Sequence, residues 1–297
     1  MAKQKTTKLP DIEIPLISNS KYNLEKFDFS FFDLHLVNIE SAYFKRYIKS
    51  FATNPMFETN FSYIKKIIDE KDEKEENIYA VIKRNIKINY DQINIENVFR
   101  LLLIIFPSDL QISHRLTFRE YDGLLLSEGL YSSDLPKRYP DRFLISRDNM
   151  LTEINAFIKR SFPVMRKHSY LDLSISHYII GFTSSHIHYT LITLCMAMET
   201  TVNSTNELTY RLKRNLAIIV GEDPKSSSLI YTNVNLIYSL RSKIVHGDHF
   251  KLKKIQEYLP YLESLVSRTL IELLIHDVGL DHLNDRITEM GFGNKSI

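Results

Sequence analysis

An arginine and a histidine with the chemistry for phosphodiester cleavage stand five positions apart in the last third of the chain. Arg241 carries a fixed positive charge that can bind a phosphate, and His246 can exchange a proton near neutral pH. Together they suit cleavage of RNA, in which charge builds up on a phosphate while protons move. The spacing alone is common in a chain of this length, so the surrounding sequence has to carry the inference.

The apolar pattern before Gly247 predicts one helix over 228–246. Its apolar residues recur largely at spacings of three and four, and they are Leu229, Ile230, Val234, Leu236, Ile237, Leu240, Ile244 and Val245. On such a helix Arg241 and His246 lie about 140° apart around the axis, so they do not form a ready-made pair. Either a bend at Gly247 or a second copy of the chain has to bring them to one phosphate. A symmetric dimer is the simplest architecture.

Two neighbours of this pair have supporting chemistry. Ser242 stands four positions before His246, and the two side chains share a helix face, so the hydroxyl could orient the imidazole. Lys243 is a candidate contact to the phosphate backbone. A purely structural interpretation is also open: Arg241 binds carbonyl groups near the helix end, and His246 closes the helix.

Glu199 stands within the apolar run 192–202, where a carboxylate is costly unless it has a partner. A structural ion pair or hydrogen bond to Arg241, Arg211 or Arg214 would satisfy it. The functional alternative is that Glu199 orients Arg241 or lies at the rim of an active site. In either case its acidity should matter more than its size.

Basic residues are concentrated in the last third of the chain. Arg211, Arg214 and Lys251 are candidates for RNA binding if they face one way, and the alternative is an ordinary solvated helical surface. The mixed run 69–76, rich in Asp and Glu, offsets this charge. Because the net charge of the chain is only +2, composition by itself does not identify a nucleic-acid binder.

Four blocks of the chain carry a resemblance to a known family. The blocks are Cys195–Val202, Glu207–Leu212, Gly221–Pro224 and Leu240–Asp248. In this order and spacing they resemble the HEPN superfamily, and within it the ApeA-like branch. The resemblance covers roughly residues 146–290, while 98–131 more loosely resembles the helix and β-hairpin that often precede this domain. It implies an α-helical bundle that dimerises.

In active members of this family, the resemblance further implies a metal-independent endoribonuclease whose site is shared by two protomers. His246 would then act as general base or acid, Arg241 would stabilise the transition state, and no cofactor or metal would be needed. RNA would be the substrate and a second copy of the chain the partner. A catalytically silent HEPN module that binds RNA or a protein is the alternative. Asp248 stands where one subgroup has a modifiable tyrosine, which puts control at that position in doubt.

The resemblance also suggests a biological role. The resemblance to ApeA-like proteins implies that this chain is a toxin-like effector of prokaryotic antiphage defence, which acts by abortive infection. Residues 1–145 would then sense a regulatory partner or a phage-derived trigger, or gate the activity of the helical domain in response to it. The sequence does not identify this trigger.

Composition predicts a soluble, helix-rich protein of the cytoplasm. The chain has only 8 glycines and 9 prolines, and 44% of it is apolar, enough for an ordinary core. The single Cys195 lies in an apolar helical run, which is typical of a buried small side chain, so no disulfide scaffold is possible and a reducing compartment is expected. We expect neither a secretion signal nor a membrane span, because the longest apolar run, 101–106, is too short.

The predicted fold is mainly α: a smaller α+β region over 1–145 with a β-hairpin, followed by an antiparallel helical bundle over 146–297. Residues to about 36 show no definite element. Helices are predicted near 38–52, 60–70, 74–88 and 93–106, strands at 115–121 and 124–127, and further helices near 147–162, 168–183, 186–203, 206–220, 228–246, 252–277 and 280–290. Thr205 or Asn206 is the expected cap of the fourth bundle helix, and 226–228 that of the fifth.

Other chemistries find little support in the sequence. His186 and His188 diverge by about 200° on a helix and have no cysteine or paired carboxylate nearby, so they do not predict a zinc site. Glycine-rich phosphate loops of the dinucleotide or Walker type are absent from the chain, as is the Gly-x-Ser-x-Gly motif of serine hydrolases.

Overall fold

A computed structural model describes residues 12–19, 27, 29–32, 34–51, 77–83, 92–105, 111–121, 124–132, 148–202, 207–249 and 251–291. The chain divides into two compact units. The first comprises Met1–Asn97 and Ser108–Asn155, and the second comprises Val98–Pro107 and Ala156–Ile297. The second unit therefore includes a segment, 98–107, that the sequence groups with the N-terminal region.

The first unit contains a five-stranded antiparallel sheet with the strand order β2-β3-β1-β4-β5. The strands are β1 Ile12–Asn19, β2 Leu34–Asn38, β3 Asn77–Lys83, β4 Gln111–Tyr121 and β5 Leu124–Ser132, and the helix α1 spans Ala42–Phe51. The predicted hairpin is confirmed, since Tyr121 of β4 pairs with Leu124 of β5. The helix predicted near 60–70 lies outside the described residues.

Two parts of this sheet correct the sequence prediction. A helix was predicted near 74–88, but β3 occupies 77–83 between β2 and β1. Residues 78–82 are all buried, so the segment has no polar alternation, and a short apolar run of this kind does not distinguish a strand from a helix. The sequence predicted no definite element for residues 12–19, but they form β1. This strand lies between its two partner strands, β3 and β4.

The second unit is helical. Its helices are α2 Gln92–Ile105, which begins in the first unit, α3 Asp148–Lys167, which also begins there, α4 Ser169–Thr183, α5 Ile187–Glu199, α6 Leu208–Val220, α7 Pro224–His246, α8 Leu252–His276 and α9 Leu280–Gly291. Each helix predicted beyond residue 92 is present, with ends shifted by a few residues. Among the described helices, none is both long enough and apolar enough to cross a membrane.

Polar contacts explain why 98–107 belongs to the helical unit. Arg100 Nη1 of α2 lies 2.8 Å from Asp172 Oδ1 of α4, and its Nη2 donates to Ser176 Oγ at 2.6 Å. Ser267 Oγ of α8 donates to the carbonyl of Ile104 at 2.6 Å, and both groups are buried. Contacts between residues so far apart along the chain leave no signal in the periodicity of either segment.

The helices that carry the candidate site pack against one another. α5 contacts α4, α6, α7 and α8, and α7 packs against α6 and α8. The close approach of α4 to α5 requires Gly181, because a Cβ there would lie 2.7 Å from Thr193 Oγ1 and 3.0 Å from Leu194 Cγ. The buried core of this unit includes Leu171, Ile175, Tyr178, Leu191, Leu194, Cys195, Leu216, Val234, Ile237, Leu262 and Leu270.

Candidate active site

The helix that carries the candidate site, α7, begins at Pro224. Asp223 is its N-cap: its Oδ1 accepts from the backbone N–H of Ser226 at 2.7 Å, and Ser226 Oγ accepts in return from the N–H of Asp223 at 3.0 Å. The hydrogen bond from Ser226 lowers the pKa of Asp223. The prediction of a cap at 226–228 was therefore wrong, because the Asp-Pro pair starts the helix one turn earlier. The cap predicted at 205–206 lies outside the described residues.

The C-terminal end of α7 determines where His246 lies. Gly247 follows in the left-handed conformation, with φ 72°, its N–H bonds to the carbonyl of Ile244, and the N–H of Asp248 bonds to the carbonyl of Lys243 at 2.8 Å. This is a Schellman arrangement, which favours glycine. His246 is the last helical residue, so the chain turns only after it. The turn at Gly247 consequently does not bring the imidazole towards Arg241.

Arg241, by contrast, is held inside the helical unit by Glu199 of α5. Its Nη2 lies 3.4 Å from Glu199 Oε1, and the two side chains are 28% and 21% exposed. Tyr238, one turn earlier on α7, donates its hydroxyl proton to the same Glu199 oxygen at 2.5 Å. The Arg241 guanidinium also lies 5.6 Å from the centre of the Tyr238 ring. Of the three arginines considered as partners for Glu199, the structure thus selects Arg241.

The surroundings of this cluster keep its neutral members protonated. Cys195 is buried one turn before Glu199 on α5, and burial followed by the charge of Glu199 raises the pKa of its thiol. Burial and the hydrogen bond to Glu199 raise the pKa of the Tyr238 phenol. In the neutral range Tyr238 is therefore a hydrogen-bond donor to Glu199, and Cys195 is a buried thiol.

The arrangement leaves Arg241 able to bind an anion. Arginine has five N–H donors in a planar fork, and Glu199 occupies one nitrogen at a distance longer than that of a bidentate pair. Its Nε is buried and finds no hydrogen-bond acceptor among the described residues. More than a quarter of the Arg241 side chain is exposed, so the side chain is in contact with solvent while it is paired with Glu199.

The remaining residues of the motif are exposed. His246, Ser242 and Lys243 all face solvent on α7, and within the described part of the chain no hydrogen bond joins Ser242 to His246. Since α7 is continuous, Arg241 and His246 are separated by about 7.5 Å along the axis and about 140° around it. The structure thus places the guanidinium in the helical unit and the imidazole at its surface.

The predicted RNA-binding residues lie on one helix and at the start of another. Arg211 is exposed and Arg214 is half-buried on α6, while Lys251 is exposed immediately before α8. The structure gives no contact that gathers them around Arg241. Their role in RNA binding stays a prediction.

Tyr238 is the residue of the cluster that sequence reasoning missed. It stands three positions before Arg241, so the two side chains share one face of α7. A tyrosine at this spacing from an arginine, on a helix expected to face a buried carboxylate, is a usable signal for a hydrogen-bond donor. The hydrogen bond from Tyr238 could be assigned only from the position of Glu199 in the fold.

We expect Tyr238 and Glu199 to be energetically coupled. Tyr238→Phe removes a hydrogen bond to a charged acceptor and should lower the free energy of unfolding by about 1 kcal/mol. Part of that loss should be absent in a Glu199→Gln background, where the acceptor is an uncharged amide oxygen. Urea denaturation of the four proteins of the cycle measures the coupling. Tyr231→Phe, one heptad earlier on α7, is the matched control and should show no coupling to Glu199. Equal losses in both backgrounds would mean that this hydrogen bond contributes nothing.

No protein-family model matches the chain, and neither the curated proteins nor the solved structures yield a match. The resemblance to the HEPN superfamily therefore stays a prediction that depends on the residues quoted for it.

Proposed function

We propose that this protein is a metal-independent endoribonuclease whose active site is completed by a second copy of the chain. The observation that carries the proposal is the contrast within α7: Arg241 is paired with Glu199 beside Tyr238 while its side chain stays partly exposed, and His246 is exposed at the helix end. Arg241 is thus positioned to hold an anion, and His246 is positioned to contact a group from outside its own helical unit.

The proposed reaction uses the 2′-hydroxyl of RNA as the nucleophile. The 2′-oxygen forms a bond to the adjacent phosphorus while the bond from phosphorus to the 5′-oxygen breaks, leaving a 2′,3′-cyclic phosphate and a 5′-hydroxyl. His246 accepts the proton of the 2′-hydroxyl or donates one to the leaving oxygen, and Arg241 stabilises the charge that develops on the phosphoryl oxygens. DNA lacks the 2′-hydroxyl and should be inert.

The separation of Arg241 from His246 supports a shared site. A single phosphate cannot lie against both side chains of one straight helix when they point about 140° apart. In a two-fold symmetric dimer, Arg241 of one chain and His246 of the other can approach a common phosphate, and symmetry creates the site twice. Glu199 and Tyr238 then act as positioning residues for Arg241, while Ser242 and Lys243 lie beside the phosphate.

The helical unit supplies the scaffold for this proposal. Its mainly helical architecture is compatible with a HEPN-type antiparallel bundle, and the resemblance of residues 146–290 favours that assignment. We further propose that the protein is a cytoplasmic, toxin-like effector of antiphage defence. Its sheet-containing N-terminal unit would respond to a regulatory partner or a phage-derived trigger.

A catalytically silent HEPN module is the second candidate. The observation in its favour is that, within the described residues, no hydrogen bond or ion pair orients the exposed imidazole of His246. Such a protein would still bind RNA or a protein partner through the same helices. Binding without cleavage distinguishes it from the enzyme.

Cleavage of a labelled single-stranded RNA in EDTA tests the proposal. We expect products with 2′,3′-cyclic phosphate ends and no cleavage of the matching DNA. Strict dependence on magnesium or manganese would instead assign the chemistry to a metal-bound water.

A further inference from the structure

Two neighbouring helices of the second unit contain no acidic residues. Neither α6, Leu208–Val220, nor α7, Pro224–His246, contains an Asp or Glu. Their basic residues are Arg211, Lys213, Arg214, Lys225, Arg241 and Lys243. The chain as a whole has a net charge of only +2, so positive charge is concentrated on this pair of packed helices. A phosphate backbone is the ligand that such a concentration favours.

Lys213 organises the polar groups between these helices. Its ammonium lies 4.5 Å from the centre of the Tyr231 ring and donates to Asn235 Oδ1 at 3.3 Å, and both partners are on α7. The lysine and the tyrosine are half-buried, whereas Asn235 is exposed. The three side chains therefore form a defined polar surface instead of a set of independent solvated groups.

The same combination recurs one heptad further along α7. Tyr238 follows Tyr231 by seven positions, so the two rings share a face and lie about 10.5 Å apart along the axis. Each ring has a cation beside it, Lys213 for the first and Arg241 for the second. The two tyrosine–cation pairs follow one another along α7, and the second pair contains Arg241, the proposed catalytic arginine.

We infer that the α6–α7 face, defined by Lys213, Tyr231, Asn235 and Tyr238, binds single-stranded RNA and leads the strand to Arg241. Alternating cations and aromatic rings bind single strands because phosphates pair with the cations while unpaired bases stack on the rings. Bases in a duplex are stacked on one another and cannot use the tyrosines in this way. The identity of the nucleic acid as RNA rests on the proposed function, whereas the position of the surface rests on these contacts.

Binding measurements in a cleavage-deficient background test the inference. A fluorescently labelled single-stranded RNA is titrated into the His246→Ala protein, and Kd is measured by anisotropy at several salt concentrations. Tyr231→Leu should raise Kd about tenfold, as expected for the loss of one stacked base, while Tyr231→Phe should bind like the parent. Lys213→Met should raise Kd several-fold and make the slope of log K against log salt shallower by about 0.7.

Two matched controls separate the α6–α7 face from general effects. Lys225→Met removes the same charge from α7, but Lys225 points about 120° away from Tyr231. Tyr189→Leu removes a tyrosine of α5 that is 63% exposed. Both should leave Kd within about twofold of the parent, because neither residue belongs to the face. Thermal unfolding of every variant verifies that it is folded.

The possible results of these binding measurements either overturn or support the inference. Equal binding by the parent, Tyr231→Leu and Lys213→Met overturns the inference, as does tighter binding of duplex RNA than of the single strand. Loss of binding in those two variants supports it. If that loss occurs and the protein with His246 intact cleaves no RNA, the surface stands and the proposed nuclease activity falls.

Discussion

The His246→Ala protein is expected to bind RNA like the wild type and to cleave it at least about a hundredfold more slowly, the effect of removing a group that transfers protons in the transition state. His246 is exposed at the last position of α7, and within the described residues its side chain takes part in no hydrogen bond or ion pair. The free energy of unfolding should therefore stay within about 0.5 kcal/mol of the wild-type value. Single-turnover cleavage and urea denaturation of the same preparation measure the two quantities.

His249→Ala is the matched control for this variant. His249 is also exposed and stands three positions later, beyond the turn at Gly247. It should retain wild-type cleavage. Equal losses of activity in His246→Ala and His249→Ala would remove His246 from the role of proton-transfer residue.

Arg241→Ala is expected to abolish cleavage and also to destabilise the fold. Its position near a helix end would by itself predict that truncation of Arg241 costs little core packing. The structure alters this for Arg241, since its loss leaves the partly buried carboxylate of Glu199 without an ionic partner. We expect a loss of about 1 to 3 kcal/mol in the free energy of unfolding. Arg241→Lys should retain part of the stability but little activity, because an ammonium lacks the planar fork.

A second substitution separates the two effects of Arg241→Ala. Glu199→Gln neutralises the carboxylate, so the Arg241→Ala, Glu199→Gln protein should recover stability in urea denaturation. It should remain inactive, because no guanidinium is present to stabilise the phosphate. Recovery of cleavage together with stability would show that Arg241 acts only as a structural partner of Glu199.

The helices of the second unit could be predicted from the sequence, whereas part of the first unit could not. The helical periodicity of apolar residues in α4 to α9 is a local property, and long segments display it clearly. β3 lacks such a signal because both faces of the strand are buried, and β1 depends on partner strands far away in the chain. α7 starts one turn earlier than predicted because Asp223 caps it and Pro224 is its first residue, and Asp-Pro is a local signal for such a start.

The candidate site shows the same limit. An apolar context was enough to predict that Glu199 needs a partner, but three arginines qualified, and only the packing of α5 against α7 selects Arg241. The hydrogen bond from Tyr238 depends on that packing as well. The separation of Arg241 from His246 could be predicted, since it follows from helix geometry alone once the helix is continuous.

The central claim, that Arg241 of one chain and His246 of another form one site, is tested most directly with mixed dimers. The Arg241→Ala and His246→Ala chains are co-expressed with different affinity tags, and dimers that carry both tags are purified. Each mixed dimer should contain one intact site, formed by Arg241 of the His246→Ala chain and His246 of the Arg241→Ala chain, and should therefore show about half of the wild-type activity per dimer. Mixed dimers as inactive as either parent, or a wild-type protein that cleaves RNA as a monomer, would contradict the account.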